Sequence, residues 1–187
     1  MIQEFTQEVK NLIHDILKDV HTIIQGKIES YNPDDCTAFI LPYGKYKKPD
    51  GTTLDYPVIP DVPVYVTQGS GQTATIAVPV KKGDECLILF SEQTTDTWRT
   101  GALSSTDLRF DLSNAVAVVG MFARPNPLMR EAYSDDAIII QNGNGRIKMT
   151  KTDITVQAVN VMVNASGNAT VTADGNVRVS GATVNIN

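Results

Sequence analysis

The chain has 187 residues, with 16 Lys+Arg against 21 Asp+Glu and a net charge of −5. That length suits one domain of ordinary size or a small domain with an appendage, and a 42% apolar share with 20% charged residues excludes a fully disordered chain. No apolar run approaches the ~20 residues that span a bilayer, Met1-Ile2-Gln3-Glu4-Phe5 has neither the basic nor the apolar region of a signal peptide, and the acidic balance argues against non-specific nucleic-acid binding.

Residues 1–20 form the first segment, with an amphipathic helix predicted over 3–20. Phe5, Val9, Leu12, Ile13, Ile16, Leu17 and Val20 recur at spacings of three and four, while Glu8, Lys10, Asp15, Lys18 and Asp19 take the other face. The stripe needs a surface to lie against, either its own domain or a partner subunit.

Residues 21–124 read as a compact β domain. Thr22–Tyr31 and Cys36–Tyr43 are strand-like and joined by the turn formers Asn32-Pro33-Asp34-Asp35. Lys48-Pro49-Asp50-Gly51 is a second turn. Val58–Val66 is a strand interrupted by Pro60 and Pro63, so it belongs at an edge or carries a bulge. Gly69-Ser70-Gly71 turns into Ala74–Val80, Lys82-Gly83-Asp84 turns into the apolar strand Glu85–Phe90, and Ala115–Met121 is the last strand. Five or six short strands at this spacing predict a small closed barrel. Residues 125–137 follow as a connector, read as extended because Arg124-Pro125-Asn126-Pro127 holds two prolines.

Residues 138–187 differ in composition: the last Leu is Leu128 and the last aromatic residue Tyr133. They carry an internal repeat. Ile154-Thr-Val156, Val161-Met-Val163, Ala169-Thr-Val171, Val177-Arg-Val179 and Val184-Asn-Ile186 start 7, 8, 8 and 7 residues apart, and Ile147-Lys-Met149 precedes them in phase. Apolar-polar-apolar units separated by turn formers such as Asp174-Gly175-Asn176 predict a β-solenoid. Small side chains on one face of such short strands do not offset the entropy of ordering one chain. Coils of this length are also too short to close a single-chain β-helix. Three chains wound together would share one axial core of Ile147, Met149, Ile154, Val156, Val161, Val163, Ala169, Val171, Val177, Val179, Val184 and Ile186 and would pair every strand edge. Lys148, Thr155, Gln157, Asn164, Thr170, Thr172, Arg178, Thr183 and Asn185 would face outward.

Several stretches together resemble a known family. They are Ile24-Gln-Gly26-Lys-Ile28-Glu-Ser-Tyr31 with Thr37-Ala-Phe39, and Pro57-Val58-Ile59-Pro60-Asp61-Val62-Pro63-Val64. Pro79-Val80-Lys-Lys-Gly83-Asp84-Glu-Cys-Leu87-Ile-Leu-Phe90 with Asp96-Thr-Trp98, and Asp111-Leu-Ser113-Asn-Ala115-Val-Ala-Val-Val-Gly120, complete the set. In this order they resemble the central baseplate spike of contractile phage tails, in particular the spikes of Mu-type phages and R-type bacteriocins (the baseplate assembly protein V-like family). The resemblance implies a mainly β chain: an N-terminal helix, an oligonucleotide/oligosaccharide-binding (OB) type barrel, and a triple-stranded β-helix formed as a homotrimer. It implies a structural, non-enzymatic role, puncturing the target bacterial envelope when the tail sheath contracts. The partners implied are the chain itself, a baseplate hub protein and the target envelope, with no nucleic acid. The location implied is the tail baseplate of a virion or bacteriocin particle, assembled in the bacterial cytoplasm. Leu12, Ile13, Ile16 and Leu17 would dock on a neighbouring subunit or on the hub. Members often end in a His-x-His apex that binds iron. Here the only histidines are His14 and His21, and the repeat runs to Ile186, so a further apex or a separate tip protein is expected to cover that end.

The remaining motifs have ordinary explanations. Gly69-Ser-Gly71-Gln-Thr lacks the Lys of a phosphate loop and reads as a turn. His14 and His21, seven apart, would share a helix face, but two imidazoles alone make a weak metal site. No spacing of Ser, His and Asp suggests a triad, and no metal, cofactor or catalytic residue is expected. The sequence leaves a Cys36–Cys86 disulfide open, with nothing pointing to an oxidising compartment. Tyr43-Gly44-Lys45-Tyr46-Lys47-Lys48 carries the alternative function, an OB-type module that holds single-stranded nucleic acid on interleaved basic and aromatic side chains.

Overall fold

Helix α1 (Ile2–Lys18) opens the chain. Five of the strands that follow build a small curled barrel sheet. β1 (Ile23–Asn32) turns into β2 (Thr37–Pro42), and β2 pairs with β5 (Ile59–Pro63). Between them β3 (Lys45–Lys47) and β4 (Thr53–Asp55) form a separate hairpin, and β6 (Thr67–Gly69) with β7 (Ala74–Ile76) form another. β8 (Glu85–Phe90) returns to the free side of β1, and β9 (Ala115–Val119) lies beyond it. The computed structural model describes residues 2–18, 20–48, 50–101 and 108–185. It divides into two compact units, Met1–Pro125 and Asn126–Asn187.

The main sheet runs β5-β2-β1-β8-β9, and a single parallel bridge from Val64 to Ala117 ties its two edges. The bridge is reinforced where the Tyr65 amide donates to the Ala117 carbonyl at 2.8 Å. Three antiparallel strands, a return beside the first, and a parallel closure are the connectivity of a partly open OB-type barrel. The curl has local causes. The β1–β2 register slips between Ile28 and Ser30, and the β2–β5 register slips between Ala38 and Ile40. Such bulges increase twist and bend the strands. Asp61, between Pro60 and Pro63, takes a left-handed φ of 52°, and this proline-marked strand, expected at an edge or with a bulge, is terminal in the sheet order and pairs with β2 in a slipped register.

Strict alternation fills the interior. Cys86, Ile88 and Phe90 point in from β8, Ala38 and Ile40 from β2, Ile28 from β1, Ala115 and Ala117 from β9, with Ile59, Val62 and Val64 completing the core. Small residues among isoleucines let the strands approach closely. Two of the polar groups that enter are held by hydrogen bonds: Asn114 is buried and its amide donates to the Leu108 carbonyl at 3.0 Å. Thr37 gives both its amide and its hydroxyl to Asp35, at 3.2 and 2.6 Å, which holds the Asp35 carboxyl below its ordinary range. Both cysteines are free; Cys36 is exposed and Cys86 is in the core, where burial pushes its thiol up to about 11.

Two local expectations need correction. Residues 125–137 are not extended throughout: they contain helix α3 (Leu128–Ser134). Pro127 has φ −53°, already helical, and the Asn126 side chain accepts the Leu128 amide at 3.0 Å, so the second proline starts a helix. Nor do His14 and His21 share a helix face, because α1 ends at Lys18 and His21 packs against Phe90 and Tyr56, with ring centroids 5.5 and 6.1 Å away. Helix α2 (Thr95–Thr100), in the β8–β9 connection, is an element the alternation did not predict.

Candidate functional site

The second unit begins with α3 and continues as an antiparallel meander, β10 (Ile138–Asn142), β11 (Gly145–Met149) and β12 (Ile154–Gln157). Asn142-Gly143-Asn144-Gly145 forms the first turn, with Gly143 at a φ of 56°. The register places Ile138 opposite Met149 and Met149 opposite Ile154; it places Ile140 opposite Ile147 and Ile147 opposite Val156. Side chains directly opposite each other share a face. One side of the meander is therefore two rows of three apolar residues.

The other side carries Arg146, Lys148, Thr155 and Gln157. There the Arg146 guanidinium donates to the Glu131 carboxylate of α3, and the Lys148 ammonium donates to Glu131 at 3.1 Å and to Asp135. These contacts pull the Glu131 carboxyl down to about 2, the hydrogen bond from Arg146 being the largest cause and that from Lys148 next. Lys151 pairs with Asp136 beside them. Helix α3 is thus clamped to the charged face. The apolar face is left open, with Ile138 65% and Ile154 72% exposed. Side chains of this size gain about 1.5–3 kcal/mol each on full burial, and one chain does not supply that burial.

Ile147, Met149, Ile154 and Val156 share one face of the meander. Ile138 and Ile140 extend the same face; the sequence reasoning missed them because it began the repeat at Ile147. The pattern was present, since Ile138-Ile-Ile140 alternates in phase with its partner strand. Val161, Val163, Val171, Val177, Val179 and Val184 are exposed, and residues 158–185 form no strand ladder within the chain. The predicted solenoid pairing thus reaches only the two units in β11 and β12, and these pair as a hairpin. The later units are three residues long, and among the described residues they find no partner strand in their own chain. Ile186 lies outside the described residues.

In the first unit, Phe5, Leu12, Ile13, Ile16 and Leu17 of α1 are exposed. An open groove of about 940 Å³ runs beside the β6–β7 hairpin, lined by Tyr31, Tyr65, Val78, Val80, Trp98 and Phe122 among others. The basic-aromatic stretch is the β3–β4 hairpin, where Lys45 pairs with Asp55 at 3.0 Å and Tyr46 faces Leu54. Among the described residues no three His, Cys, Asp or Glu side chains gather as a metal site, and no helix is long and apolar enough to cross a membrane.

The family described as Phage protein Gp138 N-terminal domain matches residues 24–120, just over half of the chain and the whole barrel from β1 to β9. No curated protein matches the chain significantly. With the barrel order β5-β2-β1-β8-β9 inside the matched span, the chain belongs to this phage protein family.

Proposed function

We propose that the chain is the central, membrane-piercing spike of a contractile tail baseplate, acting as a homotrimer. Membership of a phage protein family supports a phage structural role and a place in the virion. The observation that carries the finer reading is the open apolar face of Ile138, Ile140, Ile147, Met149, Ile154 and Val156, followed by in-phase repeats that, among the described residues, pair with nothing in their own chain. Three copies would turn these faces to a common axis and supply the missing strand partners, making a narrow rod from a chain too poor in large side chains to fold as one alone. The clamped α3 and the Arg146/Lys148 face would lie outside. Such a rod works by rigidity and shape: sheath contraction supplies the force, a hub protein holds the wide end, and the target envelope is the substrate.

The nucleic-acid reading has less support. In OB-type barrels the ligand meets the β1–β2 and β8–β9 connections, and here these carry Asp34, Asp35, Glu92, Asp96 and Asp111. Arg109 is paired with Glu92 at 2.9 Å, and Arg99 donates to the Asp61 carbonyl at 3.2 Å.

Sedimentation equilibrium of the full chain tests the reading, with an expected mass three times the chain's 20.3 kDa. Particles carrying Val171→Asp should lose puncturing activity, because three carboxyls would meet in a dry core. A monomeric chain, or normal killing by those particles, overturns it.

A further inference from the structure

Helix α1 stands with every described side chain from Gln3 to Leu17 exposed. Phe5, Val9, Leu12 and Ile16 follow a 4-3-4 spacing, which is the d-a-d-a seam of a heptad, with Ile13 at e widening the stripe. The two flanks of this stripe differ in charge. Glu8 and Asp15 occupy successive g positions with Glu4 and Lys18 at the neighbouring c positions, whereas the opposite flank carries Lys10 beside Leu17 at the b positions.

We propose that α1 is a self-association helix that packs in parallel against α1 of a second copy of this chain, through Phe5, Val9, Leu12 and Ile16. The charge pattern selects both the occupant and the orientation. In a parallel arrangement the acidic flank of one helix meets the Ile13/Lys10 flank of the next, so opposite charges approach and the acids' stems cover Ile13. In an antiparallel pair the two acidic flanks face each other, and Glu8 of one copy lies against Asp15 of the other, a repulsive contact. A helix lying on a membrane would instead carry Lys and Arg along its polar face, and this one sets only Lys10 and Lys18 against Glu4, Glu8 and Asp15. The seam lies outside the repeat and stands without the spike reading. It would give the chain two separate self-association elements, one before the barrel and one after it.

Disulfide trapping in the full chain tests this. Cys36 is first replaced by Asn, which tolerates the left-handed φ of 55° found there. Single cysteines are then introduced as Phe5→Cys and Leu12→Cys on the seam and Gln7→Cys on the outer face. Copper-catalysed oxidation should link copies at residues 5 and 12 at least tenfold faster than at residue 7. An antiparallel pair would separate the two copies of residue 5 by roughly 16 Å, at 1.5 Å rise per residue, and would leave Phe5→Cys unlinked. Equal rates at all three positions, or no link at residues 5 and 12, overturn the proposal. Sedimentation of the same samples reads the spike question separately. Three copies without a seam link overturn this inference alone, and a seam link with two copies keeps it while overturning the trimer.

Discussion

Ile147 and Val156 stand directly opposite each other across β11 and β12, on the face of the meander away from the Arg146 and Lys148 side chains that hold α3. Val156 is 55% exposed within one chain, so a charge there costs the isolated chain little. In an assembly that buries this face, an unpaired carboxylate costs several kcal/mol per copy. Val156→Asp should therefore leave the barrel's thermal transition in place and shift the sedimenting mass toward one chain. Thr155→Asp, on the charged face, should keep the wild-type mass. Equal masses for the two variants would contradict a buried apolar face.

The clamp on α3 has a pH dependence of known sign. Glu131 is held below the usual glutamate value of 4.5, at about 2. A carboxyl whose folded pKa is depressed stabilises the fold above the unfolded value and loses that contribution as pH falls through the folded one. Amide protection in α3 should then decline between roughly pH 4.5 and 2. Glu131→Gln should remove that step and lower protection already at pH 7. Because these side chains are partly solvated, added salt should weaken the effect. Hydrogen exchange across residues 128–134 as a function of pH is the measurement.

Gly26 is in β1 for space. A Cβ there would lie 2.6 Å from Ile88 Cδ1 and 2.8 Å from Ile40 Cγ2, and both isoleucines are fully buried. Gly26→Ala should destabilise the barrel by about 1–3 kcal/mol through overpacking, read as a lowered midpoint in urea. Combining it with Ile88→Val should recover part of the loss, since the second change removes the methyl that collides. If the pair were simply additive, the close approach would not be the cause.

The two thiols should separate kinetically. Burial raises the Cys86 thiol to about 11 and removes it from reagent, whereas Cys36 is exposed. A disulfide-exchange reagent at pH 8 should titrate one thiol per chain in native protein and two in denaturant. Two fast thiols in the native state would mean that the barrel opens readily.

Much of the barrel is legible in the sequence because its determinants are local. Period-two alternation along Glu85–Phe90 and Ala115–Val119, the turn formers at 32–35, and the prolines at 60 and 63 each act within a few residues. The 3.6-residue spacing of Phe5, Val9, Leu12 and Ile16 is equally local, and α1 appears where it predicts. Helix α3 is not legible in the same way because Pro127 carries two opposite meanings, breaker and helix starter, and the choice rests on the following Leu128-Met-Arg-Glu-Ala and on the Asn126 cap.

What the sequence determined by itself is which side chains alternate and where the chain turns. Which strands meet was settled only in three dimensions. The Val64–Ala117 bridge joins segments 53 residues apart, and no local pattern selects a parallel partner at that range. The choice of covered face in the second unit is also tertiary. Ile139 and Ile140 are identical as residues, yet α3 brings its acids to the Arg146/Lys148 side that Ile139 shares and leaves Ile140 in solvent. The reason is electrostatic: Glu131 on α3 and Asp135 at its C-cap, one turn apart, match two cations two residues apart on β11, and that pairing forms only when helix and strand are already side by side.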